Sequence, residues 1–161
     1  MRYILIIILS ITTFHITCAA DFKGARDDLS FLNVKNSDYQ KGIDALKKAL
    51  KYKKKNKIKK ANKRFEKALG YFVSAHKEYP RNIEILSYLG FTYNMVGDLI
   101  MSEIYYQEGL IIDPKNTSIN LRLGELYYFT KREELARERL KVLNSCNCQE
   151  YRNLKKIIDE N

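Results

Sequence analysis

Apolar residues return along most of this chain at the three- and four-residue intervals of an α-helix. Leu86, Leu89 and Tyr93 fall on one stripe, and Ala68, Phe72 and Ala75 on another. Near the end, Tyr151, Leu154 and Ile158 do the same. Each set lines one face of a 3.6-residue helix. An earlier helix is predicted to start at Ser37-Asp38 and to run through Tyr39, Gly42, Ile43 and Leu46. Breakers are scarce, with seven Gly and two Pro, while Ala, Leu, Lys and Glu abound. That balance predicts an all-α chain. One stretch departs from the periodic pattern: Tyr3 to Ile11 is almost wholly apolar.

The chain repeats itself at an offset of 34 residues. Leu89 falls on Leu123, Gly90 on Gly124 and Tyr93 on Tyr127; one step back, Ala68 falls on Ser102, Phe72 on Tyr106 and Pro80 on Pro114. Gly97-Asp98 reads as the turn within one unit, with Asp98 capping the next helix through its carboxylate. Pro114 ends the unit because it cannot continue a helix. Gly90 lies inside an apolar stripe, where a missing side chain admits the partner helix. The spacing Leu89-Gly90-x2-Tyr93, Ser102-x3-Tyr106, Gly109, Asp113-Pro114 resembles the tetratricopeptide repeat. The next copy, Leu123-Gly124-x2-Tyr127 and Ala136-x3-Leu140, lacks the turn Gly and the closing Pro. The resemblance implies an all-α fold of helical-hairpin repeats in a right-handed superhelix. The units are placed at 37–80, 81–114 and 115–145, with a capping helix at 149–158 over the last repeat's apolar side.

The first unit is stretched. If Leu46 stands where Tyr93 stands later, about thirteen extra residues separate its two helices. They carry the chain's basicity: residues 41–64 hold twelve Lys or Arg and one acid, Asp44, within a net charge of +10. With no Pro or Gly from Leu46 to Leu69, both helices are predicted to lengthen by roughly two turns, with a tip near Asn56. Lys53, Lys54, Lys55, Lys57, Lys59 and Lys60 then form a basic hairpin able to meet an anionic envelope surface. The bland alternative is a solvated helix tip. Nucleic acid is not expected as a partner, because the lysines lack interleaved aromatics or Arg.

The N-terminus reads as an export signal: Met1-Arg2, the apolar run, then Cys18-Ala19-Ala20 before Asp21. Residues 1–20 are expected to be removed, 21–36 to form an N-terminal segment, and the chain to be periplasmic. A lipoprotein anchored at Cys18 and an uncleaved anchor are the alternatives. Cys146 and Cys148 remain in the mature chain. A disulfide, free thiols and redox or metal chemistry all stay open for this pair.

The pattern Asp38-Tyr39-x2-Gly42-x2-Ala45-Leu46, two full repeats, a Cys-containing loop and Glu150-Tyr151-x2-Leu154-Lys155 is similar to that of small exported repeat proteins of alphaproteobacteria. That likeness carries no established activity. The wider repeat resemblance implies a concave ligand face lined by first-helix residues: Ser87, Phe91, Asn94 and Met95, then Leu121, Glu125, Tyr128 and Phe129. Such a stripe suits an unidentified peptide or protein; packing between repeats is the alternative use of the same side chains. The Lys and Asn pattern of chaperone-tail-binding repeats is missing, with Gln40 and Asp44 in its place. No phosphate loop, catalytic triad or metal-ligand spacing is present, so neither an enzyme nor a cofactor is expected.

Overall fold

The computed structural model describes residues 37–160. The expected signal segment 1–20, its expected cleavage after Ala20, Cys18 and the segment 21–36 lie outside the described residues. Within them the chain forms seven helices and no strand: α1 (Ser37–Lys54), α2 (Ile58–Glu78), α3 (Ile83–Val96), α4 (Leu99–Ile112), α5 (Thr117–Phe129), α6 (Glu133–Leu143) and α7 (Gln149–Asp159). The pairs α1–α2, α3–α4 and α5–α6 make three hairpins; α2 packs on α3, α4 on α5, and α7 closes against α5 and α6.

The long first hairpin follows from its alanines. Ala61, Phe65, Ala68, Phe72 and Ala75 are buried on α2, facing Ala45, Leu46 and Ala49 of α1. Small side chains on both helices let the axes approach, and no Pro or Gly lies between Leu46 and Leu69. The turn falls at Asn56, whose φ of 54° is left-handed, a conformation that Asn tolerates better than most residues.

Repeat register is set by a notch and a ring. A Cβ at Gly90 would stand 2.5 Å from the Tyr106 ring of α4, and one at Gly42 would stand 2.7 Å from the Phe72 ring of α2. Gly42 is therefore the counterpart of Gly90, and Ala45, not Leu46, is the counterpart of Tyr93. The first hairpin is shifted by one residue from the sequence alignment, because the close helix contact fixes register more strongly than side-chain likeness. Gly109 serves the junction between units. Its missing Cβ makes room for Ile119 of α5, in the next hairpin, at 2.6 Å.

The turns differ between units. Gly97 takes φ 93°, and the Met101 N–H donates to the Asp98 carboxylate at 3.0 Å. In the last hairpin Lys131 must adopt the left-handed φ of 64° that glycine takes so readily. Lys131→Gly is expected to raise stability by about 1 kcal/mol, with Lys131→Ala giving no gain. Urea melts of the two variants beside the wild type check this.

Candidate functional site

Asn82 and Asn116 open α3 and α5, and each side chain accepts from the backbone N–H three residues on, at 3.0 and 3.1 Å. These caps aim the first turns of two successive first helices side by side. Between them lies a cleft of about 530 Å³, lined by Asn82, Ile83, Glu84, Ser87, Tyr88, Asn116, Ser118 and Arg122. The 34-residue offset relates its walls: Asn82 to Asn116, Glu84 to Ser118 and Tyr88 to Arg122.

Aromatic packing makes this wall rigid. Tyr88 stacks on Phe72 of α2 with ring centroids 5.1 Å apart, and Tyr39 of α1 tilts against both rings. Burial pushes the Tyr39 phenol well above its usual range, and its contact with Glu84 adds to the effect. The Arg122 guanidinium lies 4.4 Å from the centroid of the Phe91 ring. Such a contact removes little of its hydrogen-bonding capacity, since the fork of N–H donors is planar and can face a ligand while the plane rests on the ring. The site thus offers one acid, one base, hydroxyls and aromatic edges.

The eight sequence-predicted groove residues are not brought together as one exposed stripe. Ser87 lines the cleft. Phe91 and Met95 are half-buried against the first core cluster, and Leu121 and Tyr128 against the second. Asn94 is half-buried, and Glu125 is partly enclosed near Arg122. Only Phe129 among them stands largely in water, 69% exposed. Arg122, Tyr88 and the two capping asparagines were not among the candidates. They were findable, since the repeat offset pairs them and an Asn before an apolar helix start is a capping signal. Attention to the apolar stripe alone passed over them. With the corrected register, Tyr39 and Ile43 stand where Gln40 and Asp44 had been placed, and neither restores a Lys and Asn pattern.

Burial raises the Glu125 pKa and Arg122 partly opposes the shift. The folded state therefore holds this proton more tightly than the unfolded chain, and the stabilisation from that proton is lost as pH rises through the folded value. Glu125→Gln is expected to raise the melting temperature at pH 7 and to make no difference well below pH 4. Calorimetric scans across that range check the sign.

Elsewhere, five of the six basic-hairpin lysines are exposed and unattached, while Lys53 reaches Met95, with Nζ 3.4 Å from Sδ. Cys146 and Cys148 are joined by a disulfide in the α6–α7 loop. His76 packs edge-on against Tyr105 at 5.5 Å. Among the described residues no group of three or more His, Cys, Asp or Glu is placed to hold a metal ion.

The first TPR of Spaghetti (RPAP3), solved with the HSP90 peptide SRMEEVD bound, superposes with a TM-score of 0.54. The match covers 74% of this chain and 91% of that one, at 20% identity. The fold is a tetratricopeptide-repeat fold. No protein-family model matches the sequence, and no curated protein matches it. At this identity the likeness concerns the arrangement of hairpins alone.

Proposed function

We propose that this tetratricopeptide-repeat chain is a non-enzymatic interaction scaffold, holding a peptide or protein on the concave side formed by the first helices of its repeats. The cleft between α3 and α5 carries this reading. Its two walls come from adjacent repeats, it is preformed by capped helix starts and stacked rings, and it presents both charges together with hydroxyl groups. That chemistry suits an extended segment with polar backbone and mixed side chains better than a purely apolar one. The apolar Tyr3–Ile11 run and the small residues before Asp21 support export to the periplasm.

Among the described residues, Arg122 is the single cation lining the cleft. Peptides selected on the wild-type chain from a random display library should bind Arg122→Ala at least about tenfold more weakly, the usual scale for an arginine anchor. A filling change, Ser87→Leu, should block the same peptides without disturbing the far hairpins. Selected peptides that bind both variants as tightly as the wild type would remove the cleft from consideration.

A further inference from the structure

The outer seam of the first hairpin holds a second cavity, remote from the α3–α5 cleft. It has a volume of about 180 Å³ and is lined by Lys41, Asp44, Ala45, Lys48, Arg64, Lys67 and Tyr71. The α1 residues Lys41, Asp44 and Lys48 and the α2 residues Arg64, Lys67 and Tyr71 recur at three- and four-residue intervals, so each helix supplies one wall. The Lys41 and Lys67 ammonium groups stand over the Tyr71 ring at 5.8 and 5.6 Å. Lys41 is paired with Asp38 at 3.0 Å. Four cations against one lining carboxylate, with Lys41 already paired to Asp38, leave the cavity net positive, a setting that favours an anion.

We propose that this cavity is a phosphate-ester site and that the ester is the headgroup of an anionic lipid. The volume equals about six waters at roughly 30 Å³ each, room for a phosphate and the first atoms of its ester. Both basic stripes continue toward the tip, through Lys51 on α1, Lys55 in the turn and Lys60 on α2, so the cavity opens onto a cationic face. Ile58 at that tip is 49% exposed, an apolar side chain set among lysines as an interfacial contact requires. A nucleic-acid strand fits less well, because both ammoniums cover the Tyr71 ring on which a base would stack.

The test is flotation of the full chain with vesicles of phosphatidylglycerol and phosphatidylcholine at physiological salt, with binding to pure phosphatidylcholine subtracted. Two triple variants remove equal charge. Lys48→Gln/Arg64→Gln/Lys67→Gln empties the cavity, and Lys54→Gln/Lys55→Gln/Lys57→Gln strips the tip. Loss of three surface charges alone should cost the tip variant about a hundredfold, and the cavity variant at least about tenfold more. None of the six side chains is buried, and matching melting curves establish that both variants fold. Equal losses would overturn the cavity and leave charge alone. Glycerol 3-phosphate and inorganic phosphate are titrated in parallel against the Tyr71 ring resonances. Saturation by either as tight as vesicle binding would overturn the lipid source, and preference for a single-stranded oligonucleotide over vesicles would overturn the site as assigned.

Discussion

Gly90→Leu is expected to destabilise the chain by about 3 kcal/mol, and in urea its midpoint should fall while the slope stays unchanged. A Cβ alone would stand 2.5 Å from both Cδ1 and Cε1 of Tyr106, atoms of a ring that is completely buried and has no free space to retreat into. A leucine adds three more carbons in the same direction. The α3–α4 pair must then separate, and because α2 rests on α3 and α5 on α4, the strain is shared with both neighbouring hairpins. Gly70 supplies the control. It lies exposed on α2 with nothing within 4 Å of an added Cβ, so Gly70→Ala should stabilise by about 1 kcal/mol through helix propensity. Opposite signs from two glycines within one repeat array separate steric approach from backbone entropy. If Gly90→Leu melts like the wild type, the contact that sets the register of the α3–α4 hairpin is misplaced.

The hairpin order was legible because packing in this fold repeats. The same small and aromatic residues return every 34 positions, and each return marks a contact that one helix must make with the next. The one-residue shift in α1 was not legible. Leu46 looks more like Tyr93 than Ala45 does, and only the approach of Gly42 to Phe72 shows which of the two is equivalent. The cleft was half legible. Ser87 was named through the repeat resemblance, whereas Tyr88 and Arg122 were not among the candidates. Their placement depends on rings contributed by other helices, Phe72 under Tyr88 and Phe91 under Arg122, and a one-dimensional pattern does not carry such pairings. The phosphate-sized cavity was invisible for a similar reason. The sequence shows a run of lysines, but only the seam between α1 and α2 selects Lys41, Lys48, Arg64 and Lys67 from it.

Leu154→Ala should cost about 3 kcal/mol, and deletion of α7 should leave the third hairpin unfolded at 37 °C. In the third repeat the ring that fills the glycine notch is absent. The notch at Gly124 is instead occupied by Leu154, whose Cδ2 would meet an added Cβ at 2.5 Å. An element outside the repeats thus completes a contact that the first two units make within themselves. Leu154 is fully buried and Ile158 nearly so, both in one cluster with Leu123, Leu126 and Leu143. Removing Leu154 leaves a cavity bounded by backbone at Gly124, which has no side chain able to move into it, so little relaxation is available. Amide exchange distinguishes this account from uniform loss of stability. In Leu154→Ala, protection should fall most in α5 and α6 and least in α1 and α2, since stability in a stacked array is passed between neighbours. Equal loss of protection in the first and last hairpins would show that α7 does not act as a local cap.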